Sequence, residues 1–162
     1  MAALVATKSH GRCQELRTPC DAPGRPFAFT VTGGNTSDCC TPFTAMMDAI
    51  RVPRPGPGRP RVRPGHVIGD KDCSSKAIRA WLRQRSISHT IPERSDQIRN
   101  RLRRGHRGGS PPAFDKRLSK RRNVVERCFN RLKQWRGIAT RYEKTAESHQ
   151  EAATLTSLLI WA

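Results

Sequence analysis

Residues 51 to 65 read RVPRPGPGRPRVRPG, with five prolines, five arginines and three glycines. Fixed φ angles and missing amide donors exclude both a helix and a strand ladder from such a stretch. The chain must therefore assemble its core from short pieces on either side of an extended, polyproline-like basic loop. Two uses of that loop stay open: a solvated linker, or a segment that tracks a phosphate backbone.

The flanking pieces carry clear periodicities. Phe27, Phe29 and Val31 alternate with Ala28, Thr30 and Thr32, which predicts a strand closed by Gly33-Gly34-Asn35. Thr41 is placed to cap a helix with Pro42 at its first position, where Phe43, Met46, Met47 and Ile50 fall on one face. Beyond the loop, His66 to Asp70 predicts a short buried strand that delivers Asp70 at its carboxyl end. Ser74 or Ser75 then caps a helix with the apolar stripe Ala77, Ile78, Trp81 and Leu82, and Ile87, His89 and Ile91 alternate in a further strand. Strand, helix and strand in so few residues make the fold class α/β.

A helix is expected from Lys120 to Arg136, with Val124, Val125, Cys128, Phe129, Leu132 and Trp135 on one side and Gly137 as terminator. A last helix is expected from Ser148, where Ser148 and Glu151 form a capping box, burying Ala152, Leu155, Leu158, Leu159 and Trp161. Residues 8 to 26 hold Leu16 as their single large aliphatic and predict neither strand nor helix. Residues 93 to 118 are basic, contain glycines and show no apolar period, so they are expected to be a second loop.

Charge narrows the function. The 162 residues carry 31 Lys and Arg against 13 Asp and Glu, a formal +18, and residues 1 to 50 contribute four of each sign. The whole excess therefore lies after position 50, which points to a polyanionic partner, nucleic acid first among them. No apolar run is long enough to span a bilayer and no secretory leader is evident, so no membrane association and a cytoplasmic, nucleoid-associated location are expected. The six cysteines, Cys13, Cys20, Cys39, Cys40, Cys73 and Cys128, include no C-x-x-C pair, which argues for free thiols rather than structural zinc.

Two carboxylates stand out. On the expected helix from Lys120, Arg122, Glu126, Asn130 and Lys133 share one polar stripe, and Glu126 is the single acid between Asp115 and Glu143. It is either the counter-charge of an ion-paired helix, set among Arg121, Arg122, Arg127, Arg131 and Lys133, or a metal-binding carboxylate flanked by phosphate-binding cations. Asp70, at a strand's C-terminal end, either faces a ligand or caps the following turn, and Asp72 competes for the role. An Asp at a strand end, a Glu on a helix and a large basic excess together suggest divalent-metal phosphoryl transfer, with the structural readings of both acids left open.

The stretch GDKDCSSKAIRAWLRQRSISHTIPERSDQ and the later RGGSPPAFDKRLSKRRNVVERCFNRLKQWRGIATRYEKTA resemble the C-terminal part of the catalytic domain of DDE transposases of bacterial insertion sequences. The likeness is to insertion-sequence family five, within the family-four superfamily. That family's second catalytic Asp lies in an A-D-K-x-Y-S-S stretch, matched here by Gly69-Asp70-Lys71-Asp72-Cys73-Ser74-Ser75. Its catalytic Glu lies in a Y-x2-R-x3-E-x6-K signature, in which Arg122, Glu126 and Lys133 occupy the R, E and K positions and Ser119 replaces the Tyr. The stretch APGRPFAFTVTGGNTSD resembles the strand region between the first two carboxylates, so the likeness covers about residues 22 to 145.

The resemblance implies an RNase H-like fold and metal-dependent cleavage and strand transfer at transposon ends. Asp70 and Glu126 would be catalytic and metal-binding, with Mg²⁺ or Mn²⁺ as cofactor. Arg122, Lys133, Arg121 and Arg127 would hold DNA phosphates. The family's first Asp, on an opening strand in a D-G/S-T context, has no counterpart here, because Glu15 and Asp21 follow no strand pattern. Residues 1 to 21 are accordingly read as a non-matching segment, 22 to 145 as a partial catalytic domain and 146 to 162 as a C-terminal helix. The fold is expected to lack its opening strand, activity to be weak or absent, and the chain to associate with itself or with a full-length transposase. The competing reading is a non-catalytic basic protein that binds nucleic acid through its Arg-rich loops.

Overall fold

The computed structural model describes residues 2–9, 14–33, 40–140 and 145–161, with side chains over 18–31, 43–140 and 145–161. Five strands form one sheet: β1 (Ala2–Ser9), β2 (Gln14–Cys20), β3 (Thr30–Gly33), β4 (His66–Ile68) and β5 (Ser88–Thr90). Their order across the sheet is β3-β2-β1-β4-β5. The first three make an antiparallel meander, and β4 and β5 then run parallel to β1. The helices are α1 (Cys40–Asp48), α2 (Lys76–Gln84), α3 (Ser95–Arg103), α4 (Lys116–Lys120), α5 (Asn123–Lys133), α6 (Arg136–Thr140) and α7 (Ala146–Trp161).

Two apolar clusters sandwich the sheet. Because side chains alternate along a strand, Val67 and Ile68 point to opposite faces. Val67 joins Phe43, Met46, Met47 and Ile50 of the α1 region with Ile78 and Leu82 of α2 and with Ile87 and Ile91 flanking β5. Ile68 joins Cys20 of β2, Phe29 just before β3, and Val125, Cys128, Phe129, Leu132, Ile138 and Ala153 of the α5 to α7 layer. Both clusters agree with the expected apolar faces of α1, α2 and α5. Ser75 caps α2 by accepting the Ile78 N–H at 3.1 Å, while Ala77 is exposed rather than part of the stripe.

Several sequence expectations give way. An opening strand is present: β1 fills the centre of the sheet, and β2 runs through residues where no strand was expected. Both segments lack apolar alternation, and their place is set by backbone pairing, as in Leu4 opposite Cys20 and opposite Ile68. The predicted Gly34-Asn35 strand end falls outside the described residues. The 51–65 segment has no regular element, although Val52 and Arg61 form an isolated antiparallel bridge.

Residues 93–118 are not one loop. They hold α3, a short 3₁₀ turn at Gly105–Gly108 and the first residues of α4. No α3 side chain is buried, so apolar periodicity had nothing to report. Polar contacts hold it instead: Ser74 Oγ donates to Gln97 Oε1, Gln97 Nε2 donates to the Ser74 carbonyl, and Arg101 pairs with Glu93 at 2.8 Å. The expected Lys120–Arg136 helix is broken into α4, α5 and α6, with Gly137 inside α6 and Trp135 exposed.

The last helix starts at Ala146 rather than Ser148, and Thr145 Oγ1 accepts the Ser148 N–H at 3.3 Å. Its orientation is also different. Leu155, Leu158 and Leu159 are 65%, 61% and 59% exposed, while His149, Ala153, Thr156 and Ser157 face inward. Small inward residues let α7 lie close to β3, α5 and α6, and the Ser157 hydroxyl is satisfied by the Thr154 carbonyl at 2.6 Å. Close approach thus outweighs burial of the leucines. Trp161 docks the helix end, donating Nε1–H to the Pro26 carbonyl at 2.8 Å with Arg25 stacked over its ring.

Gly69 links β4 to Asp70, and a Cβ there would meet Cys73 Cβ and Ile91 Cγ1, each at 3.1 Å. Gly69→Ala should cost about 1–3 kcal/mol through overpacking. Urea unfolding checks this, and an unchanged midpoint would show that the turn has room to spare.

Candidate functional site

Asp70 leaves the end of β4 and is 7% exposed. Its Oδ1 accepts the amides of Asp72 and Cys73, each at 3.1 Å, so the carboxylate organises the turn that leads into α2. Asp72 is exposed and does not share this position. The Ser74 to Gln97 hydrogen bonds tie the same turn to α3.

Glu126 lies in the first turn of α5 and is half-buried. Arg122 at the helix N-cap keeps helical φ and ψ, so the expected polar stripe of Arg122, Glu126, Asn130 and Lys133 is maintained. Arg122 and Lys133 are half-buried beside it, whereas Arg121 and Arg127 are exposed. Val125, next to Glu126, shares an apolar cluster with Ile68, two residues before Asp70. The fold therefore sends β4 and the start of α5 into the same part of the core.

Strand register shows which residues stand level with Asp70. Leu4 pairs with Ile68 and Ala6 with Thr18, so continuing both ladders puts Asp70 level with Ala6 and Thr18. Neither is acidic. Glu15 is opposite Ser9, and Asp21, one residue past Cys20, comes level with Ala3. Each is offset by three residues, about 10 Å along the strands. Asp21 is also committed elsewhere: its carboxylate takes the Arg25 guanidinium at 2.7 Å and the Arg25 amide at 2.8 Å. Among the described residues no three His, Cys, Asp or Glu side chains gather as a metal site.

The described cysteines Cys20, Cys73 and Cys128 are buried. Contact with Cys128 and then burial push the Cys20 thiol far above its ordinary range. Cys20 is thereby held as a neutral thiol in the core.

Periodicity gave no sign of a cleft of about 840 Å³ on the β5 edge, lined by His66, Arg79, Arg83, His89 and Phe114 among others. Only the sheet brings these residues together, since His66 and His89 come from neighbouring strands. His66 Nε2 lies 3.0 Å from Thr90 Oγ1, and Arg79 donates to the Ile91 carbonyl at 2.9 Å. Burial lowers the pKa of His66, His89 lowers it further, and Asp115 partly opposes both. Burial also lowers His89, with the Ile87 carbonyl opposing and Arg79 and Arg83 reinforcing.

Both histidines thus resist protonation in the folded chain. As pH falls through about 6.5, the unfolded chain takes up protons that the folded chain refuses, so stability drops on acidification. Below the folded-state values the slope from these two groups ends. Urea midpoints measured from pH 7.5 downward should fall, and the double variant His66→Gln, His89→Gln should flatten that fall; equal slopes would place the acid sensitivity elsewhere.

The family model described as "Transposase DDE domain" matches residues 12–161. A protein named as the transposase for insertion sequence element IS402 of Burkholderia cepacia is 34% identical over 140 residues, which is 86% of this chain and 58% of that protein. A second, named as the transposase for insertion sequence element IS6501 of Brucella ovis, is 29% identical over 147 residues, covering 91% of this chain and 96% of that protein. The chain thus spans little more than half the length of the IS402 relative.

Proposed function

The chain belongs to the transposases with a DDE domain, and from that premise we propose that it is a DNA-binding catalytic-domain fragment with a depleted carboxylate set. The carrying observation is the register: Asp70 follows the end of β4, where an RNase H-like site would carry a carboxylate, while the level position on β1, by continuation of the ladder, is Ala6. DNA follows from the family and from the excess of 27 basic over nine acidic residues after position 50.

Asp70 and Glu126 offer hard carboxylate oxygens suited to Mg²⁺ or Mn²⁺. Because no three His, Cys, Asp or Glu side chains gather among the described residues, these two carboxylates suit one weakly held divalent ion better than a two-ion clamp. Such an ion would polarise a phosphodiester oxygen. Arg122 and Lys133, half-buried on the Glu126 stripe, would seat the adjacent phosphates, and the exposed Arg121 and Arg127 would hold the backbone further out. Strand cleavage and transfer are accordingly weak or absent in this chain alone. Assembly with a second copy or with a full-length transposase, in the nucleoid, would supply what it lacks.

Two measurements test this reading. Duplex binding should weaken steeply with salt, log K falling by about 0.9 per log salt for each phosphate neutralised; a flat response would remove DNA from the reading. Mn²⁺ binding, followed by water proton relaxation, should be weak and lost in Glu126→Gln, which keeps size and helix propensity. Ala6→Asp should strengthen it. Transposon-end DNA cleaved with Mg²⁺ as well by Glu126→Gln as by the parent would show that the site is misassigned.

A further inference from the structure

Each end of the basic proline segment is fixed to the body of the protein. Val52 is half-buried against the α1/α2 cluster, and Pro64 is buried. Val52 and Arg61 exchange backbone hydrogen bonds at 3.0 and 2.8 Å, and Arg63 donates to the Ser86 carbonyl at 3.1 Å. The bridge closes Pro53 to Pro60 into an arm whose residues are all exposed.

The tip, Pro55-Gly56-Pro57-Gly58, is narrow and free on its sides. A Cβ at Gly56 would meet nothing within 4 Å, and one at Gly58 only Arg54 Cδ at 4.0 Å. Gly58 has φ +144°, a conformation other residues rarely adopt, so the turn depends on it. Proline removes most of the freedom the rest of the arm would lose on binding. Arg54 and Arg59 flank this tip, and neither makes an ion pair or side-chain hydrogen bond among the described residues. No acid occurs from 51 to 65.

Pinned, slender, cationic and unpaired, this arm is built for an anionic groove rather than a flat surface. Four residues from bridge to tip reach about 13 Å. That is enough to enter the minor groove, which is about 6 Å wide and about 7.5 Å deep and too narrow for a helix. Narrow A·T tracts carry the strongest negative potential and attract inserted arginines, and they lack the guanine amino group that obstructs the groove floor.

We propose that residues 53–60 form a DNA arm that enters the minor groove of A·T-rich duplex through Arg54 and Arg59. This rests on the DNA-binding reading above and adds to it a groove and a base-composition preference. Two duplexes with identical flanks and either an A·T or a G·C centre, titrated against the full chain by fluorescence anisotropy, test it. The A·T duplex should bind about tenfold tighter, and the minor-groove ligand netropsin should displace the chain from it. Arg54→Ala with Arg59→Ala should remove the preference, whereas Arg103→Ala with Arg104→Ala, on exposed positions at the end of α3, should weaken both duplexes and keep it.

Equal affinity for the two duplexes, or binding indifferent to netropsin, overturns the minor-groove assignment and leaves the DNA-binding reading intact. No binding to either duplex overturns both. The netropsin arm uses the unaltered chain, so the result holds even if the double variant is unstable.

Discussion

Burial of β4 on both faces is the constraint from which the rest of the structure follows. Three residues, His66 to Ile68, separate two apolar clusters, with Val67 and Ile68 both essentially inaccessible. A strand so short cannot hold its place by its own ladder. It is fixed by β1 on one side and β5 on the other, and by the helices that cover each face. Asp70 inherits its position from this arrangement, because it follows β4 through Gly69, where a side chain would crowd Cys73 and Ile91.

Electrostatics sets the second constraint. A net +18 opposes compaction, and the fold answers by putting its cations on segments that need no apolar burial. The arm after α1 and the helix α3 are both exposed and arginine-rich, and both are fixed by polar or backbone contacts. Among the described residues, acids paired with arginine include Asp21 with Arg25, Asp48 with Arg85 and Glu93 with Arg101. The remaining positive surface suits a polyanion, in keeping with a member of a transposase family.

Much of this was legible in the chain. The faces of α1, α2 and α5 follow from residues three and four apart, and Asp70 and Glu126 are marked by their sequence surroundings. The β1 and β2 strands were not legible, because AALVATKS and QELRTPC carry no alternating apolar pattern; their partners define them. Likewise α3 buries nothing, so its polar anchors to Ser74 and Glu93 become visible only when distant segments meet. The leucines of α7 misled for the opposite reason, since an apolar stripe at helical spacing was outcompeted by a small-residue face that packs closer.

Sequence by itself determined the local periodicities, the absence of regular structure between Ile50 and His66, the charge imbalance and the family to which the motifs point. Those properties depend on neighbouring residues and on composition, which a linear reading contains. Tertiary structure decided the strand order, which residues stand level with Asp70, which face of α7 turns inward, and that the basic segment is a pinned arm rather than a slack linker. Each of these depends on pairing between residues far apart in the chain, where backbone hydrogen bonds and close packing choose among placements that side-chain pattern leaves equivalent.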